Sequence, residues 1–151
     1  MKKFIKIINI LLVIICAIII FLFSSETAKE STKTSVGTTK SVINTVTNNR
    51  VSESKVNEIA NKEFTLVRKS AHAIEYFILG FLVINSLKDY KPINYKYLVL
   101  CILFCFIYSV SDEIHQIYVP GRSCELKDVL IDSGSSTFGI IIYKLFLMIK
   151  K

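Results

Sequence analysis

Ionisable and hydrogen-bonding residues are concentrated at positions 112–128, which read DEIHQIYVPGRSCELKD and lie between two long apolar runs. Ionisable groups beside hydrocarbon-facing sequence are costly to keep, so in a membrane protein they indicate a functional site. A second polar cluster, RKSAH at positions 68–72 followed by Glu75 and Tyr76, begins another apolar run. Together the two clusters are the first candidate for such a site.

The spacing within the second cluster predicts one polar helix face. Arg68, His72, Glu75 and Tyr76 stand at i, i+4, i+7 and i+8, so on a helix they share one side over two turns. The guanidinium fork of arginine suits phosphate or carboxylate, and Lys69 adds positive charge. His72 has a side chain that exchanges a proton near neutral pH. This face is therefore suited to hold an anion and to move a proton.

The segment at 112–128 predicts two further polar faces. Asp112, His115 and Gln116 stand at i, i+3 and i+4, whereas Glu113 is expected to point elsewhere, toward the lipid headgroups. The next apolar run begins with two aspartates one turn apart, and all three faces are expected at one depth in an outward-opening pocket. The candidates for catalysis are His72, Asp112 and His115, and those for substrate binding are Arg68, Lys69, Glu75, Tyr76, Glu113, Gln116, Arg122, Asp128 and Asp132.

Three functions fit this set of residues. The first is a binding or catalytic pocket for an anionic, lipid-linked substrate. The second is a metal hydrolase with His72, His115 and carboxylates as ligands, but no HExxH or comparable spacing is present, so no metal and no cofactor is predicted. The third is a purely structural network whose ion pairs fix the helix register. The number of polar groups at one depth exceeds what register requires and favours a pocket, while leaving open whether it is an enzyme.

The apolar runs must position these residues, and they predict an all-α, polytopic membrane protein. Of the 151 residues 52% are hydrophobic, and the mean hydropathy is +0.49. A bilayer core takes about 20 helical residues, or somewhat fewer with anchored ends, and the runs lack the polar stripe of a soluble bundle. We expect one membrane domain over 1–151, with four spans at about 5–23, 71–87, 96–115 and 129–149 and an outer loop at 24–69.

The net charge of +7 is explained by membrane topology and not by nucleic-acid binding. The segments 1–6 and 88–96 and the C-terminal tail are rich in lysine, with Asp89 as their only acidic residue. The positive-inside rule then places both termini in the cytoplasm. The first run exceeds the ~7–15 residues of a signal-peptide core and lacks an A-x-A-like site, so it is interpreted as an uncleaved anchor.

The outer loop divides into two parts by composition. Residues 24–49 are rich in Ser, Thr, Asn and Lys and predict a solvated, at best partly ordered loop. From Val51 apolar residues recur at helical spacing, which predicts an amphipathic helix on the outer membrane surface, leading into the second span. The alternative, a helix packed on the bundle, stays open.

Proline and small residues predict the remaining connections. Pro92 lies in a short inner turn at 88–96, and Pro120-Gly121 marks the outer turn between the third and fourth spans. Ser135 and Gly139 form a small-xxx-small step that allows close helix packing in lipid. The four cysteines are expected to act as small, mostly apolar side chains.

Four stretches of the chain stand out together: FSSE at 23–26, RKSAH at 68–72 with EYF at 75–77, SDEIHQ at 111–116, and PGRS at 120–123 with DV at 128–129 and DSG at 132–134. In their order and spacing these stretches resemble the VanZ-like family of small membrane proteins. The resemblance implies a protein of the cytoplasmic membrane and a connection with resistance to teicoplanin, a lipoglycopeptide, through an activity that is not settled. High Ile, Lys and Asn usage is typical of an A+T-rich genome and suggests a Gram-positive source.

The resemblance and the polar residues together suggest a function in the cell envelope. The expected partner is a membrane lipid or a lipid-linked cell-wall precursor, with no nucleic acid; protein partners are not predicted. In this interpretation Arg68 and Arg122 hold the anion, and His72 and His115 are the proton-transfer candidates. Asp112 and Asp128 orient these groups. Engagement of this partner would lower susceptibility to lipoglycopeptides.

Overall fold

The computed structural model describes residues 2–88 and 94–149 and is helical throughout its regular structure. The helices are α1 (Lys2–Ser24), α2 (Ala28–Thr47), α3 (Glu53–Lys88), α4 (Tyr95–Gln116) and α5 (Leu126–Ile149). This confirms the all-α prediction. The predicted inner turn with Pro92 falls largely on residues 89–93, outside the described residues.

Four of these helices, α1, α3, α4 and α5, are long and apolar enough to cross a membrane. Each of them contains one of the four predicted spans, with α3 beginning well before the predicted 71–87. Most of their large apolar side chains face outward, as lipid contact requires. Helix α3 has 36 residues, about 54 Å at 1.5 Å per residue, whereas a bilayer core is about 30 Å thick. One end of α3 therefore extends beyond the hydrocarbon region.

The prediction of a partly ordered loop at 24–49 is wrong, because most of this segment forms α2. Thr27 caps the helix: its hydroxyl accepts from the Glu30 backbone N–H, while the Glu30 carboxylate accepts from the Thr27 backbone N–H at 3.0 Å. This capping box satisfies two otherwise unpaired donors. Packing then completes the stabilisation, because α2 lies against α3 and buries one small-residue face, formed by Ser31, Ser35 and Thr39.

Helix α2 and the outer part of α3 form a helical hairpin. Asn48 and Asn49 make the turn with φ of 49° and 57°, a left-handed conformation that Asn tolerates. Val56 and Ala60 of α3 are buried at about the same distance from the turn as the buried face of α2. The predicted helix thus exists and continues into the second span, and it packs on α2. Whether it lies on the outer membrane surface or packs on the spans stays a prediction.

The crossing of α3 and α5 is the most extensive helix contact in the bundle. It is close because glycines stand at the contact: a Cβ on Gly80 would overlap the Ser136 carbonyl, and one on Gly139 would overlap the Phe77 carbonyl. The small-residue step predicted for α5 therefore operates at Gly139. This contact determines how far α3 and α5, which both carry polar site residues, stand apart.

The connection between α4 and α5 is docked on the start of α2. The Ala28 backbone N–H donates to the Pro120 carbonyl at 3.2 Å, and Gly121 has a φ of 77°. A Cβ at Gly121 would lie 3.0 Å from the Ala28 Cβ, so glycine is required for both conformation and space. The docking holds the connection over one end of the bundle.

Candidate functional site

The C-terminal end of α1 meets the C-terminal end of α4 through serine hydroxyls. Ser24 donates to Asp112 Oδ2 at 2.6 Å and accepts from Gln116 Nε2 at 3.2 Å, and all three side chains are buried. Ser25 Oγ lies 3.0 Å from His115 Nε2. These serines were not predicted as site residues from the sequence; the FSSE stretch of the family resemblance was the available signal.

Glu113 does not point toward the headgroups, so that prediction is wrong. Its side chain is 2% exposed, and Glu113 Oε2 accepts from the Glu125 backbone N–H at 2.9 Å. Backbone N–H groups at the start of a helix have no partner within the helix, and Glu113 supplies one just before α5 begins. Its role in the structure is to join α4 to the start of α5.

Lys69 is paired with acidic groups near the start of α5. Its Nζ lies 3.3 Å from Glu125 Oε2 and also pairs with Asp128 Oδ1. Both ion pairs are partly exposed, with 29% of the Lys69 side chain accessible. The positive charge that was predicted to hold a substrate is therefore already balanced, and two carboxylates share it. Glu125 was not predicted as part of this region.

Arg122 binds main-chain carbonyls at the end of α1. Its Nε donates to the Glu26 carbonyl at 3.2 Å and its Nη2 to the Phe23 carbonyl at 3.5 Å. Burial lowers the pKa of Arg122, although an arginine stays protonated in proteins. A guanidinium has five N–H donors, so donors remain for a ligand after these two contacts.

A compact group of three side chains lies at the centre of this end of the bundle. His72 from α3, Asp112 from α4 and Asp132 from α5 bring ligand-capable atoms within 4.8 Å of one another. Asp112 is 3% and Asp132 2% exposed. A small cavity of about 10 Å³ is lined by His72 and Asp132 among others, which is about the space of one water.

A larger cavity of about 220 Å³ lies between α2, α3 and the α4–α5 connection. Its charged lining includes Arg68 and Arg122 beside Glu26 and Glu75. Glu75 Oε2 is buried without a hydrogen-bond partner among the described residues. The remaining lining residues are small or apolar: Phe23, Ser31, Thr34, Ser35, Thr38, Val67 and Ala71, together with His72. His72, Arg68 and Arg122 line both this cavity and the small one.

Two predicted site residues stand apart from these cavities. Tyr76 is fully buried in the bundle core, with its ring centroid 6.1 Å from that of Tyr108. His115 contacts Ser25 and the Phe21 ring, 4.5 Å between centroids, and is not in the three-residue group. The other ten line one of the two cavities or contact residues that do. The four helices thus gather most of the predicted site at one end.

The fold and this site define a multi-pass membrane protein with its polar residues collected at one end of a four-span bundle. The chain belongs to the VanZ/LLP1 family, whose profile matches residues 9–147. That match includes all of α3 and α4, most of α1 and α5, and every site residue described above. Searches of curated proteins and of solved structures find no match.

Proposed function

We propose that the polar end of the bundle faces the outside of the cell and binds the anionic headgroup of an envelope lipid or lipid-linked cell-wall precursor. The observation that carries the proposal is the 220 Å³ cavity with Arg68 and Arg122 in its lining. Two of the three arginines of the chain thus face one cavity at the end of the spans.

The size of the cavity suits a headgroup. A water needs about 10–15 Å³ of such space, and drug-sized ligands occupy pockets of roughly 300–1,000 Å³. A volume of about 220 Å³ lies between these limits, enough for a phosphate with a small substituent. Acyl or prenyl chains would then stay in the bilayer beside Phe23 and Val67, which are apolar members of the lining.

The polar groups of the cavity suit a ligand with both phosphate and hydroxyl groups. Arginine donates bidentate, charge-assisted hydrogen bonds to phosphate, and Arg122 is oriented by its two contacts with main-chain carbonyls. Glu75, with an unpaired buried oxygen, is an acceptor for a hydroxyl. Lys69 is neutralised by Glu125 and Asp128, so selectivity rests on the two arginines.

The test is lipid binding by the purified chain in nanodiscs of phosphatidylcholine. Native mass spectrometry would measure the fraction of protein that retains an added polyprenyl phosphate, for the wild type and for Arg68→Gln, Arg122→Gln and Arg50→Gln. Arg50 is exposed and outside the cavity, so Arg50→Gln is the matched control. Loss of a charge-assisted contact of about 1.5–3 kcal/mol predicts at least tenfold weaker binding in the two cavity variants. Equal retention by all four proteins would contradict the proposal.

The arginine variants together with His72→Gln separate binding from catalysis and from a structural role. If the site only binds, the arginine substitutions should cause most of the loss of lipid retention, and His72→Gln should reduce retention only slightly. Conversion of the bound lipid that disappears in His72→Gln, with the chain still abundant in the membrane, would indicate an enzyme instead. If the network is structural, each substitution lowers membrane abundance in proportion to its effect.

Headgroup binding at the outer face would alter the surface that a lipoglycopeptide meets. We therefore propose that expression in a sensitive Gram-positive host lowers susceptibility to teicoplanin. Arg122→Gln would remove the protection at equal membrane abundance, whereas Arg50→Gln would keep it. If a strain that expresses the chain well is as susceptible to teicoplanin as before, this protein does not confer resistance. The nanodisc measurement would then decide the question of lipid binding alone.

A further inference from the structure

The group of His72, Asp112 and Asp132 has a composition that lipid binding does not explain. The three ligand-capable atoms lie within 4.8 Å of one another, and each comes from a different helix. Within residues 2–88 and 94–149 this is the one group of three or more His, Cys, Asp or Glu side chains with such geometry. Nothing in the larger cavity requires two carboxylates to stand this close.

Among the described residues no lysine or arginine forms an ion pair with the two aspartates of the group, although Arg68 and Arg122 line the small cavity beside Asp132. Asp112 and Asp132 are 3% and 2% exposed, and burying carboxylates without a partner is strongly unfavourable. Lys69 is already shared by Glu125 and Asp128. A cation held between the two aspartates would supply the direct ion pair that they lack.

Asp112 provides a second, independent observation. Its Oδ2 accepts from Ser24, whereas its Oδ1 is buried and has no hydrogen bond of normal geometry with any described residue. The neighbouring Tyr76 hydroxyl is also buried and forms no such bond. Buried polar atoms are nearly always satisfied, so Asp112 Oδ1 has room for one more contact, and the Tyr76 hydroxyl and a bound cation are the two candidates.

We propose that His72, Asp112 and Asp132 bind a divalent transition-metal ion, with Zn²⁺ as the best fit. An imidazole nitrogen with two carboxylates favours Zn²⁺ over Mg²⁺ or Ca²⁺, which prefer oxygen ligands alone. Zn–ligand lengths of about 2.0–2.2 Å place tetrahedral ligands roughly 3.4 Å apart, so side-chain movement of about an ångström closes the site. The contacts of Ser24 with Asp112 and Gln116 then hold a ligand in place, as outer contacts do in metal sites.

The adjacent space fits this coordination. The 10 Å³ cavity beside His72 and Asp132 has room for about one water, the fourth ligand of an open zinc site with three protein ligands. Sequence spacing could not show the site because its ligands lie on three helices. Metal binding is separable from the proposed function, since it is measured without lipid.

The experiment is a metal titration of the chain purified in detergent with a histidine-free tag. After removal of metal by a chelator, dialysis against Zn²⁺ followed by elemental mass spectrometry should find one ion per chain. His72→Gln and Asp132→Asn should each weaken binding at least tenfold, since even outer contacts matter by about 10–100-fold. His115→Gln is the matched control and should bind as the wild type does, because His115 lies outside the group.

Replacement by Co²⁺ gives a second readout, because ligation by nitrogen and carboxylate produces a visible absorption that His72→Gln should remove. Wild-type protein without saturable one-to-one binding of Zn²⁺ or Co²⁺ would overturn the proposal, even if a variant failed to accumulate. Wild-type affinity in both His72→Gln and Asp132→Asn would overturn it as well, and would show that protons neutralise the aspartates.

Discussion

Substitution of Gly139 by alanine tests whether the close α3–α5 crossing positions the site. A Cβ at this position would overlap the Phe77 carbonyl oxygen and lie 3.1 Å from its carbon, while one at Gly80 would lie 2.8 Å from the Ser136 carbonyl carbon. Ordinary carbon contacts are about 3.5–4.0 Å. Because the obstructing atoms are backbone, the helices must move apart by about 1 Å.

The expected loss of stability in these glycine variants is the difference between two opposing effects. Overpacking costs about 1–3 kcal/mol, and replacing a helical glycine by alanine returns roughly 0.5–1 kcal/mol. We expect Gly80→Ala and Gly139→Ala each to lose about 1–2 kcal/mol of stability by these figures. A Cβ added at Gly134 would meet no atom within 4 Å, so Gly134→Ala should be neutral or slightly stabilising.

Thermal unfolding in detergent, followed by loss of the folded peak in size-exclusion chromatography, would compare the three variants. The Gly80→Ala/Gly139→Ala double variant should cost less than the sum of the two, because both contacts belong to one crossing and the first substitution already separates the helices. Equal stability of Gly139→Ala and Gly134→Ala would refute the reasoning.

Three further predictions concern local contacts. Ser24→Ala should lower the free energy of unfolding by about 1–3 kcal/mol, measured by thermal unfolding, because Asp112 loses a buried donor at 2.6 Å; an unchanged stability would contradict the buried contact. Hydrogen bonds from Thr27 lower the pKa of Glu30, so the capping contribution is present above the unfolded-state pKa and is lost as pH falls through the lower folded-state pKa. The protection factors of amides in the first turn of α2, which correct for the intrinsic pH dependence of exchange, should fall only in that acidic range, and pH-independent protection would argue against the capping box. Asn49→Val should destabilise the hairpin by about 1–2 kcal/mol because φ is 57° there, whereas Asn49→Gly should be tolerated in the same unfolding assay.

The spans and the gathering of polar residues were predictable from local patterns. An apolar run of membrane length is best accommodated as a transmembrane helix, because a helix pairs its backbone polar groups within the segment. The i, i+4 spacing of Arg68 and His72 places them on one face of their helix, wherever that helix packs. The same reasoning brought Asp112 and Asp132 to one depth. Their close approach to His72 was beyond the sequence, because it depends on how three helices cross.

The failures have local physical causes. The Ser- and Thr-rich segment of α2 reads as a loop because these residues favour turns, yet small polar side chains allow α2 to lie close to α3. The Thr27-x-x-Glu30 pattern was a sequence signal for its start. Glu113 is about 100° from Asp112 around the helix, so local spacing alone predicts that it faces lipid. It is buried because the start of α5 packs beside it, which the sequence of α4 does not show.

The claim that the polar end faces the cell exterior underlies the proposed function, and Cys124 tests it directly. Cys124 is exposed in the α4–α5 connection, whereas Cys101 and Cys105 are buried and Cys16 partly so. Intact cells expressing the chain would be treated with a membrane-impermeant maleimide, with Cys124→Ser as the control. We expect labelling of the wild type in intact cells and none in Cys124→Ser. Labelling of Cys124 only after the cells are permeabilised would place the site on the cytoplasmic side and contradict binding of an outer-leaflet headgroup.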